Sequence, residues 1–245
     1  PKFLDLVAPV VFRQGLSSRP QGAPVQTTLG QFNETTSGDA FALQNSKLLK
    51  VSLNQVTVQA KLGAMVAYQG DVKFEHAGSG GMGRMLKKAM TGEGQSLMKV
   101  TGTGEVFLAD TAQDIHLIYL EGDQITCNGP NVLAFDAGID WDIERVSGLS
   151  SMAGGGMYNT KLHGTGWVAI LSDGPPVLLN VASAPTFADP QAAITWSSGV
   201  TTSVKSDVNL KSMIGKSSGE TFQIAFGGQG WVLVQPSEGQ IKAVS

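Results

Sequence analysis

The chain has 245 residues, enough for one large all-β body or two ordinary domains with a sizeable core. Charged residues make up only 15% and glycine fills 31 positions, which suits many short strands joined by tight turns and excludes disorder. A net charge of −3 gives no electrostatic basis for non-specific nucleic-acid binding, the single Cys127 excludes an intrachain disulfide framework, and no apolar run is long enough for a transmembrane helix.

Residues 1–46 lack periodicity and read as an irregular N-terminal arm. Pro1 to Leu6 carries an acid inside its apolar run, so no signal peptide is read there. Together with the lone cysteine, this leads us to expect a cytoplasmic location. From Leu48 the pattern changes. Leu49 to Leu53 and Val56 to Ala60 alternate apolar and polar residues as half-buried strands do, with Asn54-Gln55 as a tight turn between them. Ala64 to Tyr68 is a nearly continuous apolar run and reads as a buried strand. Gln69-Gly70-Asp71 then reads as a turn, and Val72 to Phe74 as an alternating strand.

That pattern recurs. Val132 to Phe135, a break ending in Gly138, and Ile139 to Trp141 form a second copy. Ala193 to Trp196, a break ending in Gly199, and Val200 form a third. Each copy leads through a short methionine-bearing segment to a strand and a Gly-x-Gly pair, at Gly102/Gly104, Gly164/Gly166 and Gly228/Gly230. Paired glycines just before an apolar strand point to a bulge or close backbone approach, hence a corner in each copy. The expectation is an all-β protein of three internal sandwich-like repeats with pseudo-threefold symmetry. Their spans are 47–111, 112–174 and 175–237, followed by a tail at 238–245.

Chemical motifs are weak by comparison. Gly78 to Gly83 matches G-x-G-x-x-G, but the next strand, Leu97 to Gly102, ends without the acid a dinucleotide site needs. Gly215 to Gly219 matches G-x-S-x-G, yet His76, His116 and His163 all precede Ser217, the wrong order for a nucleophile elbow. The histidines lack metal-ligand spacing, and Asp140, Asp142 and Glu144 read as one solvated strand face. No catalytic, cofactor or metal residue is assigned. The most distinctive local feature is Met82 to Met90. Met82, Met85, Leu86 and Met90 fall on one helical stripe, with Arg84, Lys87 and Lys88 largely off it. These seven residues are the candidate interaction surface, for a protein partner or an anionic membrane face.

The residues also carry a family resemblance. Leu48 to Val51, Gly63 to Phe74, Leu86 to Lys88 with Thr91 to Gly94, and Gly102 to Ala109 resemble the altered-inheritance-of-mitochondria (mitochondrial biogenesis) family in its bacterial form. The resemblance runs from about Leu48 to Gly239. It implies a β-sandwich fold similar to the tryptophan RNA-binding attenuation protein, repeated within one chain. The family's fungal members are mitochondrial and tied to inner-membrane organisation through protein complexes, so the resemblance implies a scaffold role and supplies no catalytic residues. The expected function is a non-enzymatic protein that binds other proteins or the membrane periphery, with nucleic acid disfavoured and a monomer preferred to a homo-oligomer. The alternative is a small-ligand or polyanion-binding domain using the loops near Gly78 to Gly83.

Overall fold

The computed structural model describes residues 28–54, 56–76, 97–145, 158–205 and 223–237. The chain divides into two compact units, 1–34 and 35–245. In the first, the described residues form a one-turn 3-10 helix, Leu29–Phe32. The regular structure described in the second is β apart from a 3-10 turn at Gly129–Asn131.

Fifteen strands follow in chain order: β1 (Phe41–Asn45), β2 (Leu48–Asn54), β3 (Val58–Lys61), β4 (Met65–His76), β5 (Leu97–Leu108), β6 (Asp114–Asn128), β7 (Val132–Asp136), β8 (Ile139–Arg145), β9 (Tyr158–Ser172), β10 (Val177–Asn180), β11 (Thr186–Ala188), β12 (Ala193–Ser197), β13 (Val200–Lys205), β14 (Gln223–Gly228) and β15 (Trp231–Val234). All the pairings are antiparallel. One sheet runs β1-β2-β5-β3-β7-β9-β6-β12-β15-β10, with β4 added on β5 and β8 on β9, and a smaller sheet runs β11-β14-β13. The architecture is all-β and sandwich-like.

Three details depart from the sequence expectation. β1 lies inside the stretch read as an irregular arm, held by pairing Phe41 to Val51 and burying Phe41. β2 and β3 do not form a hairpin. They follow one another along the same edge of β5, β3 against Leu97 to Val100 and β2 against Thr103 to Leu108. β4 runs straight through Gly70 instead of turning there, because Gly70 sits opposite Gly104 in continuous register with β5. A larger correction concerns the first part of β4. Met65 to Tyr68, read as buried, is exposed.

The paired glycines sit where a two-stranded ribbon changes partners or passes a turn. β9 pairs β8 up to Gly164 and β7 from Val168, and the turn at Ala137-Gly138 lies opposite the glycines. Likewise β14 pairs β13 up to Gly228, β15 pairs β12 from Val232, and Gly199 lies opposite Gly228 to Gly230. All six glycines have positive φ, between +92° and +146°, a region that side-chain-bearing residues avoid.

Among the described residues the core has three clusters. The first centres on Leu49, Val51, Val58, Val100 and Val106 and includes Leu133. The second centres on Ile125, Cys127, Phe135, Leu162 and Val168 and includes Ile194. The third holds Val181, Ala188, Trp196, Ile224, Phe226 and Val232. Each fully buried aliphatic or aromatic side chain contributes about 1.5–3 kcal/mol relative to exposure.

Candidate functional site

The predicted interaction residues Met82, Arg84, Met85, Leu86, Lys87, Lys88 and Met90 lie outside the described residues, as do Gly78 to Gly83 and Ser217. The structure does place the ends of the segment that carries them. β4 and β5 are still paired at His76 and Met98, so this segment joins the two strands at the tip of their ribbon. The segments between β8 and β9 and between β13 and β14 join ribbon tips in the same way, at Arg145/Tyr158 and Lys205/Gln223.

At each Gly-x-Gly corner the second glycine leaves room for a specific neighbour. A side chain at Gly104 would put its first carbon 2.0 Å from the Gln69 carbonyl oxygen. At Gly166 the space is filled by the Asp136 carboxylate, whose Oδ2 accepts the Trp167 N–H at 2.7 Å. At Gly230 it is filled by Ser197, whose Oγ accepts the Trp231 N–H at 3.1 Å. Burial pushes the Asp136 carboxyl above the usual carboxylate range, against the Trp167 hydrogen bond that lowers it.

The residue after each second glycine differs for local reasons. Glu105 forms an ion pair of 2.7 Å with Lys50, which is only 7% exposed and also donates to the Thr35 carbonyl. Trp167 instead meets Tyr119 edge-on at 5.0 Å between ring centroids. A buried ammonium needs a counter-charge, whereas a half-exposed aromatic neighbour takes an indole.

His116 and Ser172 come together without forming a nucleophile. The Ser172 hydroxyl donates to the Gly174 carbonyl at 2.7 Å and is fully buried, so His116 Nε2, 2.7 Å from Ser172 Oγ, supplies the proton of their shared hydrogen bond. Burial holds the His116 pKa below its ordinary value, with Asp114 opposing that shift. Asp140, Asp142 and Glu144 face outward on β8 as predicted, with Glu144 paired to Lys161 at 2.9 Å. His163 lies opposite Asp140 in register. Among the described residues no group of three His, Cys, Asp or Glu side chains converges on a metal position. No described helix is long and apolar enough to cross a membrane. Cys127 is buried and donates to Thr195, and burial pushes its thiol up to about 12.

Apolar side chains are exposed on strand edges at Val177 and Leu178 of β10 and along the first part of β4. Met65, Val66 and Tyr68 are 40%, 61% and 49% exposed on a strand that pairs only β5 among the described strands. Exposed apolar side chains on an open sheet edge are a template for another chain. Sequence reading missed this because the run is as apolar as its buried counterparts in β7 and β12.

Comparison with known proteins agrees with this architecture. The X-ray structure of the protein SPYM3_0169 from Streptococcus pyogenes is similar in fold, with a TM-score of 0.65 at 19% sequence identity, covering 80% of this chain and 92% of that one. No match was found among curated proteins. The sequence profile described as mitochondrial biogenesis AIM24 matches residues 41–237, and the chain belongs to that family.

Proposed function

We propose that this is a non-enzymatic interaction protein of the cytoplasm that engages protein partners through sheet edges and ribbon tips. The observation that supports this reading is the open, apolar β4 edge at Met65 to Tyr68. A strand edge supplies affinity through backbone hydrogen bonds and specificity through alternate side chains. The sequence Met82 to Met90, which follows β4 in the chain, supplies apolar and basic residues suited to a protein or an anionic membrane face.

The test is affinity capture of the full chain with nuclease treatment, followed by mass spectrometry of proteins, lipids and small molecules. The reading expects a protein retained by wild type and lost on Val66→Lys or Leu86→Asp, with the far-ultraviolet spectrum unchanged. A retained small molecule or nucleic acid with no protein would overturn it. The glycine-rich-loop alternative expects a raised melting temperature with nucleotides or phosphate, because a ligand of the folded state must stabilise it.

A further inference from the structure

Three strands occupy the same place relative to the Gly-x-Gly pairs. Tyr68 of β4 faces Val106, Phe135 of β7 faces Val168, and Trp196 of β12 faces Val232, in each case the second residue after the second glycine. Each strand also carries a register irregularity at the same step, at Val66, Leu133 and Ile194. Their burial differs completely. Leu133 and Ile194 are 0% exposed, and Val66 is 61% exposed. Phe135 and Trp196 are 0% and 5% exposed, against 49% for Tyr68.

The cause is a second neighbour. β3 covers β7, placing Gln59 opposite Phe135 and Ala60 opposite Ala134. β6 covers β12, placing Thr126 opposite Trp196 and Cys127 opposite Thr195. The strand that corresponds to β3 and the end of β6 in the last part of the chain is β11. Phe187 faces Ala225, just as Gln59 faces Lys99 and Thr126 faces Lys161, each at the same distance before a second glycine. Among the described strands β11 pairs only β14, and Phe187 is 43% exposed. Among the described strands there is therefore a covering strand left over at one end and a strand left uncovered at the other.

We propose that a second copy of this chain supplies the missing neighbour: β11 of one copy pairs antiparallel with β4 of the next. The register follows from the two pairings inside the chain, with Phe187 opposite Tyr68 and Ala188 opposite Ala67. Val66 enters the third core cluster of the neighbouring copy, as Leu133 enters the first cluster and Ile194 the second. This deepens the interaction reading and rests on it. The occupant is a copy of this chain because the joint repeats one already made twice within it. The contact is heterologous, so copies add head to tail into a ring or a filament. Pairing β4 with another β4 would bring two Val66 side chains to an interface that offers neither of them a core.

The experiment uses full-length chains carrying one new cysteine each. Ala67→Cys and Ala188→Cys chains are mixed and oxidised, with native Cys127 buried out of reach. The expected product is a disulfide-linked pair in the mixture and none with either variant alone, because only unlike edges meet. Wild type should show a native mass above that of one chain, reduced to one chain by Val66→Lys or by Phe187→Glu. Mixing those two variants should restore a dimer through the intact edge of each. A linked pair from Ala67→Cys alone, an intrachain disulfide in a chain with both cysteines, or a wild type that stays single at micromolar concentration would each overturn the proposal. If Val66→Lys then still abolishes capture of a different protein, the interaction reading stands without the self-pairing. If Val66→Lys leaves the native mass unchanged and neither it nor Leu86→Asp abolishes capture, both fall.

Discussion

The Trp167 N–H needs an acceptor from position 136, and a half-buried carboxylate is a costly one. Because burial raises the folded pKa of Asp136 above its ordinary 3.8, the native state binds the proton more tightly than the unfolded chain. This group's contribution to stability is therefore greatest below the ordinary value and falls as pH rises through the folded one. Asp136→Asn keeps an oxygen acceptor and removes the charge, so it should leave stability at pH 7 unchanged or higher and flatten that part of the pH profile. Asp136→Ala removes the acceptor and should cost about 1 kcal/mol at pH 7. Urea denaturation of the two variants across pH 4 to 7 checks the sign, and a destabilised Asn variant would refute it. The second glycines make a sharper case. Gly104 has φ +145° and its added carbon would meet a backbone oxygen, so no side-chain rearrangement can relieve the clash. Gly104→Ala should cost ~3 kcal/mol or more. The same change at Gly63, which has φ +86° and open space around it, should cost only the backbone strain, about 1 kcal/mol. Equal losses at the two positions would refute the close-approach explanation.

Most strands were legible from period and punctuation, but β1, β6, β10 and β11 were not. Alternation located β2 and β3, apolar runs located β7 and β12, and recurrence of Gly-x-Gly located the close backbone approaches, which pass a turn at the second and third pairs but not at the first, where β4 runs straight. Two further features were not legible. The turn expected at Gln69-Gly70-Asp71 rested on local residue preference, but Gly70 lies where two backbones approach too closely for any side chain, with the Thr103 oxygen 2.5 Å from an added carbon. Glycine is needed there to continue the strand past its partner, and sequence preference cannot separate that use from a turn. Burial of Met65 to Tyr68 was not legible either, because an apolar run reports that a strand suits burial and not whether a neighbour arrives to provide it. The candidate residues Met82 to Met90 lie outside the described residues. Hydrogen exchange separates the two kinds of strand. In Phe187→Glu chains, held apart by the lost edge, amides of Met65 to Tyr68 should exchange faster than those of Val132 to Phe135, which lie between β3 and β9. In wild type at high concentration the difference should shrink. A concentration-independent difference would mean that nothing covers β4 in solution.

At the scale of the molecule, open ends change what stability means. A chain whose β4 and β11 edges are filled by other copies must lose those contacts to unfold, so its apparent stability depends on how many copies are present. Each tenfold rise in protein concentration favours the joined state by about 1.4 kcal/mol per joint when the joints are saturated. The melting temperature of wild type should therefore climb with concentration, while that of Val66→Lys should stay flat. Salt should matter little. The contact is carried by Val66, Tyr68, Phe187 and the two alanines, without an ion pair of its own, and a net charge of −3 on 245 residues generates weak repulsion between copies. An association driven by surface charge would fade between low and high ionic strength. One driven by apolar burial and strand pairing should persist or tighten. Scanning calorimetry over a hundredfold range of concentration, at low and at high salt, decides between them. A melting temperature independent of concentration for wild type would leave each chain a complete folding unit and β4 an edge that the molecule tolerates uncovered.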